Sequence, residues 1–223
     1  MANVPFSQLT TNNATIRQII LDIHNELRRN VTPTACNMLK MEWSSEAEET
    51  ARRYARMCKV GHSTQNERKT SAFSCGENLF LAPFKAAWED VIRSFYSEVV
   101  DFRYGVGAVS PSLEIGHYTQ LVWATTGKIG CAIAECRDKK ISYNYVCHYC
   151  PGGNYKNSIA YPYKSGPSCG DCPSACEKSM CTNPCPHQDK FGDCNIYYQG
   201  QKCDEKLESD CPSSCLCTNN EIK

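Results

Sequence analysis

The chain has 223 residues with 24 basic and 24 acidic side chains, so its formal net charge is zero. That balance gives no global attraction to nucleic acid or anionic lipid, and the longest apolar runs, such as Leu121-Val122-Trp123-Ala124, fall far short of the roughly 20 residues a membrane span needs. Seventeen cysteines would stand as thiols in a reducing cytosol, so their density argues for an oxidising secretory route and disulfides.

The length suits one domain of ordinary size plus a small one. Met1-Ala2-Asn3-Val4-Pro5 has neither the basic nor the apolar run of a signal peptide, so the signal is expected to have been removed, with Met1 an expression start. Asn13-Ala14-Thr15 and Asn30-Val31-Thr32 are sequons, which makes Asn13 and Asn30 candidate glycosylation sites, although such triplets are common by chance. Ile16, Ile19, Ile20, Ile23 and Leu27 recur at helical spacing and predict a first helix. His24 falls among that helix's charges and reads as a surface or capping residue. A second helix is expected from about 45 to 58, capped by Ser44 or Ser45, with Glu48 placed for a capping box. A third is expected from about 84 to 102, with Trp88, Val91, Ile92, Phe95 and Val99 as its apolar face. Strands are expected at 117–124, 129–136 and 141–149, the last two joined by the turn Arg137-Asp138-Lys139-Lys140. Helices with an antiparallel sheet make an α+β layered fold.

A turn centred near residue 139 sets Cys131 opposite Cys147, each eight residues away. Directly opposed Cβ atoms lie about 4.5–5.5 Å apart, close to what a disulfide requires. Cys136 differs from Cys131 in parity, so it faces the other side of the sheet and needs a distant partner. Residues 151–168, from Pro151-Gly152-Gly153 to Ser165-Gly166-Pro167-Ser168, are rich in Gly, Pro, Asn, Ser and Tyr and read as a linker. Residues 1–168 hold seven cysteines and residues 169–223 hold ten. The tail has nine acidic residues against five lysines, a net charge of −4. It has few large apolar residues, mainly Phe191, Ile196, Tyr197, Tyr198, Leu207 and Leu216, and so short a segment needs covalent staples.

Two histidines and two carboxylates stand out as candidate chemistry. His62 lies in Gly61-His62-Ser63, Glu77 in Cys75-Gly76-Glu77-Asn78, and His117 opens Gly116-His117-Tyr118-Thr119-Gln120. Glu98 falls on the flank of the third helix's apolar stripe, where a carboxylate either reaches solvent or is paired with a histidine or a metal. Together they have the composition of a metal or acid–base cluster, but spacing alone does not bring them together. His148 and His187 read as structural or exposed. Cys147-His148-Tyr149-Cys150 and Cys169-Gly170-Asp171-Cys172 have zinc-ribbon spacing; with so many other cysteines demanding an oxidising context, disulfides are the better reading.

Gly116-His-Tyr-Thr-Gln-Leu-Val-Trp123 and Tyr145-Val-Cys-His-Tyr-Cys-Pro-Gly-Gly-Asn154 resemble the two signature segments of the CAP superfamily, the group of antigen-5, plant pathogenesis-related and cysteine-rich secretory proteins. His24-Asn-Glu-Leu-Arg28 and Cys75-Gly-Glu-Asn78 match two further family segments, and the ten-cysteine tail resembles the cysteine-rich domain of the cysteine-rich secretory proteins. Asn37-Met-Leu-Lys-Met-Glu-Trp43 is similar to the mammalian reproductive-tract members. The resemblance implies an α-β-α sandwich over residues 1–150, a hinge at 151–168, and a small, mainly helical, disulfide-rich domain at 169–223. It implies that His62, Glu77, Glu98 and His117 line one cleft, in which the two histidines hold zinc, an ion the fold does not depend on. It also implies the pairs Cys58–Cys136, Cys75–Cys150, Cys131–Cys147, Cys169–Cys176, Cys172–Cys181, Cys185–Cys217, Cys194–Cys211 and Cys203–Cys215. Cys36 is left over, as a buried free thiol, a reactive thiol or a link to a second copy in a dimer.

The function that follows is that of a secreted binding protein. Family resemblance points to a cell-surface receptor, an ion channel or sperm membrane proteins as partners, with peripheral attachment to the sperm surface. Phe191, Ile196, Tyr197, Tyr198 and Leu216 are then either contacts or the tail's own miniature core. The rival is a hydrolase using a metal-bound water or a Ser–His–Glu relay; nothing in the sequence marks Ser63 as an activated nucleophile. A third role, sterol or lipid carriage, has no segment that announces it.

Overall fold

The computed structural model describes residues 4–137, 141–191, 194 and 202–223. The elements in chain order are α1 (Ala14–Arg29), β1 (Glu42–Trp43), α2 (Ser45–Met57), β2 (Gly76–Ala82), α3 (Trp88–Tyr96), β3 (Phe102–Arg103), β4 (Gly107–Ala108), α4 (Gly116–Leu121), β5 (Lys128–Glu135) and β6 (Tyr143–Cys150). The tail adds β7 (Cys176–Glu177), β8 (Met180–Cys181), α5 (Glu205–Asp210) and α6 (Pro212–Leu216). The expected turn after Arg137 and the residues Ile196, Tyr197 and Tyr198 lie outside the described residues.

α1 begins at Asn13, whose side chain accepts a hydrogen bond from the Thr15 amide, as a good N-cap does. It buries Ile20, Ile23 and Leu27 of the stripe read from the sequence, while Ile16 is half-buried and Ile19 is exposed. His24 lies on that buried face rather than at the surface: it is 0% exposed, its Nδ1 donates to the Ile20 carbonyl and its Nε2 accepts from the Tyr149 hydroxyl. Arg28 is equally buried, and its guanidinium donates to the carbonyls of Leu39, Leu121, Trp123, Ala124 and Thr126. Ser44 caps α2, which leaves Glu48 one position too far along for a capping box. Glu48 is buried instead, where it accepts from the Thr11 hydroxyl and the Trp43 indole and pairs with Arg17 and Arg52.

The main sheet has the order β1-β5-β6-β2. β5 and β6 run antiparallel with Cys131 opposite Cys147, and β2 lies antiparallel to β6 along the free edge. Alternation divides the sheet into two faces. Ile129, Cys131, Ile133, Tyr145, Cys147 and Tyr149 join one core with residues of α1, α3 and α4. Ala132, Ala134 and Val146 face α2 through Ala51, Tyr54 and Ala55. The result is an α-β-α sandwich. A Cβ at Gly130 would lie 2.0 Å from the Glu48 nitrogen, so glycine there lets α2 lie directly on β5.

Three elements depart from the sequence reading. Residues 116–121 are helix, not strand: Tyr118, Leu121 and Val122 are all buried, and the Thr119 hydroxyl bonds the Ile115 carbonyl one turn back. A short apolar run buried on all sides carries no periodicity to tell the two states apart. The third helix is shorter than 84–102: the Tyr145 hydroxyl occupies both backbone groups of Ala86, so α3 starts at Trp88, and a 3₁₀ turn over Ser97–Asp101 follows it. Strand β2, unread in the sequence, has a Gly-Glu-Asn opening that hides its alternation.

Residues 151–168 lie along the large part. Ala124 donates to the Pro162 carbonyl, Cys36 to Lys164 and Gly166 to Thr34, and Tyr163 is buried. The first stretch of the tail packs there too. Cys181 and Met38 share a backbone hydrogen bond, Lys40 donates to the Cys181 carbonyl, Met180 joins the main core, and Lys40 pairs with Glu177 at 2.7 Å. The structure pairs Cys58–Cys136, Cys75–Cys150 and Cys131–Cys147, Cys169–Cys176 and Cys172–Cys181, and Cys185–Cys217, Cys194–Cys211 and Cys203–Cys215. Cys36 is a buried free thiol that donates to Asp171 Oδ1 at 3.4 Å.

Candidate functional site

The site forms where β2, the edge strand, meets the loop after α2 and the start of α4. Glu77 points toward the α2 side of the sheet, opposite His148 in the register. Its Oε1 accepts from His62 Nδ1 at 2.8 Å and from the Ser63 amide at 2.9 Å. Its Oε2 accepts from the Ser63 hydroxyl at 2.7 Å and from His148 Nε2 at 3.0 Å. Burial alone would raise the carboxyl's pKa, but the donors from His148, His62 and Ser63 outweigh it and hold Glu77 well below the usual carboxylate range. Arg68 braces the same loop through the Ser63 carbonyl and hydroxyl and the Cys75 carbonyl.

His117 is organised differently. Glu98, on the 3₁₀ turn after α3, accepts from His117 Nδ1 at 2.6 Å and from the amides of His117 and Tyr118 at 2.8 and 3.0 Å. One carboxylate therefore caps α4 and orients the ring. Burial pushes the Glu98 pKa up, and the His117 ring and the two amides bring it below the ordinary value. The ring stacks on Phe95, centroids 5.2 Å apart. Asn78 ties α4 to the sheet, its side-chain amide donating to the His117 carbonyl at 3.0 Å. The two signature segments are also laced together: Asn154 accepts from the Thr119 hydroxyl and donates to the Gly116 carbonyl.

The two histidines are thus tethered to consecutive residues of one edge strand, His62 to Glu77 and His117 to Asn78, from its two faces. Both use Nδ1 for a carboxylate, and no described contact engages Nε2 of either ring. Their side chains are 60% and 36% exposed. This donor set, imidazole Nε2 with carboxylate on Nδ1, is the one zinc ligands use. Among the described residues, no group of three or more His, Cys, Asp or Glu side chains gathers to hold a metal.

A family model described as Cysteine-rich secretory protein family matches residues 21–149, and a second, described as Crisp, matches residues 169–223. The chain belongs to the cysteine-rich secretory protein family. Its solved relatives include Na-ASP-1, 30% identical over 74% of this chain with TM-score 0.63; this chain spans only 46% of that one. NaASP2, solved with Zn2+, is 31% identical over 74% of this chain and 94% of its own, with TM-score 0.61. Schistosoma mansoni venom allergen-like protein 4 is 25% identical over 70% of this chain and 97% of its own, with TM-score 0.56. This family consists of secreted proteins that generally bind rather than catalyse. In this member, no helix among the described residues is long and apolar enough to cross a membrane.

For this family member the structure also locates the hydroxyl groups that a hydrolase would need. Ser63 gives its proton to Glu77, not to an imidazole. The alignment hydroxyl–imidazole–carboxylate does occur, as Thr50–His148–Glu77, with 2.7 Å from Thr50 Oγ1 to His148 Nδ1. Thr50 and His148 are both buried, under α2 where it lies on the sheet, so no substrate reaches that hydroxyl. Sequence reasoning passed over Thr50 and read His148 as structural or exposed; it is structural, fully buried. Parity across the hairpin carried the signal, because His148 neighbours Cys147 and so faces α2. Its partner could be named only once β2 was paired with β6.

Proposed function

We propose that this protein is a secreted binding protein that associates with the sperm surface and modulates an ion channel or receptor there. The observation that carries binding over hydrolysis is the commitment of the hydroxyls beside the cleft: Ser63 to Glu77, and Thr50 to a buried imidazole. Both open histidines give Nδ1 to a carboxylate, an arrangement that relay histidines share, so it is the hydroxyls that decide. The sperm assignment rests on the similarity of residues 37–43 to reproductive-tract members, and the channel assignment on that of the ten-cysteine tail to the cysteine-rich domain of the cysteine-rich secretory proteins. A −4 tail favours modulation beside a pore or on a receptor over a lysine plug in a cation filter.

Zinc belongs to this reading as an accessory. His62 and His117 would hold it through Nε2, and the fit is that of an exchangeable ion with positions left for an outside donor. When bound, it would supply Lewis acidity at those two imidazoles. The experiment compares sperm binding and channel current for the wild type, His62→Ala/Glu98→Ala, and a chain ended at Thr182. The cleft variant should keep its activity and the shortened chain should lose it. An inactive cleft variant beside a fully active shortened chain would replace binding by the hydrolase reading.

A further inference from the structure

His148 is wholly buried, and an apolar side chain would fill its place at lower cost unless both ring nitrogens are bonded. Both are, to Thr50 Oγ1 at 2.7 Å and to Glu77 Oε2 at 3.0 Å. An ionised carboxylate only accepts, so Nε2 carries the proton and Nδ1 is left to accept from the Thr50 hydroxyl, whose single proton also faces the Ala47 carbonyl at 3.0 Å. The ring therefore has one tautomer and one orientation. The four donors around Glu77 leave the carboxylate no alternative rotation. Two reach Oε2 from the buried side, and two reach Oε1, the Ser63 amide and His62 Nδ1. His62 is the exposed end of this chain of contacts, and Glu77 is its one described hydrogen-bond partner. The second cleft histidine has no such buried support, because Glu98 is oriented by two backbone amides instead.

We propose that His148 is a positioning residue for His62: the buried relay Thr50–His148–Glu77 holds His62 as the Nδ1–H tautomer and keeps its Nε2 free as the outward donor. The consequence for metal affinity rests on the zinc reading above; the consequence for the tautomer does not. The relay also accounts for why α2 lies so near the sheet, since Gly130 removes the side chain that would lift Thr50 off His148.

The test uses the full chain with His148→Leu, His148→Gln and Thr50→Val. Glutamine can donate to Glu77 through Nε2 and accept from Thr50 through Oε1, so it should rescue what leucine loses. Nitrogen chemical shifts of His62 in the metal-free protein, measured where the ring is neutral, report the tautomer. The wild type and His148→Gln should show Nδ1–H, and His148→Leu a mixture. Calorimetric zinc affinity should fall about 10–100-fold in His148→Leu, the usual cost of losing an outer partner, with Thr50→Val intermediate and His148→Gln near wild type. An unchanged tautomer in His148→Leu, or equal losses for leucine and glutamine, would overturn the proposal. Should the leucine variant fail to fold, a wild-type tautomer in Thr50→Val overturns it equally. If His62→Ala leaves zinc affinity untouched, the zinc reading fails while the tautomer comparison still decides the role of His148.

Discussion

The sandwich and the end of the tail are stable for different reasons. In the sandwich, two cores of aliphatic and aromatic side chains, one on each face of the sheet, join it to four helices, and three disulfides are added to them. From 183 onward the buried apolar groups among the described residues are Cys185, Cys194, Cys211, Cys217 and Ile222, while Phe191 and Leu216 are 55% and 42% exposed. Cystine sulfur is itself the interior there. Residues 169–182 belong energetically with the sandwich, because Met180 and Cys181 are buried in contact with it. A cysteine count groups residues 169–223 together, whereas the disulfide pairing divides them near residue 183. Residues 183–223 are tied together by Asn183–Ile222 and Cys185–Ile222 backbone bonds and three disulfides of their own, and they reach back through Ile222, packed with Leu39, Cys172 and Cys181, and through Gln188, which accepts from the Ser74 amide.

The largest expected effect follows from reduction. The three loops of this last segment, with separations of 32, 17 and 12 residues, each contribute roughly 3 kcal/mol in the chain-entropy account. Full reduction should abolish the dispersed amide signals of 183–223 while the sandwich keeps its helical circular dichroism. Residues 183–223 expressed alone and oxidised should fold. Dispersed tail signals after reduction would break the comparison.

Next in size is Arg28→Met, which takes the described donors from the buried carbonyls of Leu39, Leu121 and Thr126 and leaves those of Trp123 and Ala124 with one backbone donor each. The sandwich should lose about 3 kcal/mol or more in denaturant unfolding, about 1 kcal/mol or more for each orphaned carbonyl, with the 183–223 signals unchanged. A loss below about 1 kcal/mol would show that water replaces the guanidinium.

Acid should separate the two regions as well. Burial lowers the pKa of His24 from 6.5 to about 4, so below pH 6.5 the unfolded chain binds a proton that the folded one refuses. Stability should be full above pH 6.5 and fall as pH drops toward 4, by about 3 kcal/mol. His148, pushed in the same direction by burial, adds to the slope. His24→Asn should flatten it, and an unchanged slope would assign the acid sensitivity elsewhere.

The smallest effect is expected at Cys36. Burial, with Asp171 nearby, raises its thiol pKa, so native labelling should be slow and denatured, non-reduced protein should yield one thiol per chain. Cys36→Ser should change stability by less than about 1 kcal/mol. Rapid labelling of the native chain would place that thiol at the surface.

The sequence by itself determined the first helix through its i, i+3, i+4 stripe, the second through its cap, and the β5–β6 hairpin through turn position and parity. Resemblance named His62, Glu77, Glu98 and His117. These are local properties, set by residues a few positions apart. Tertiary structure alone decided that His24 is buried, because its polar appearance is answered by Ile20 and by Tyr149, 125 residues away. It alone decided that residues 116–121 are helical, since a run buried on every side has no periodicity to read. Only the pairing of β2 with β6 brought His148 onto Glu77, because a buried polar group is specified by its partner, and that partner stands 71 residues away.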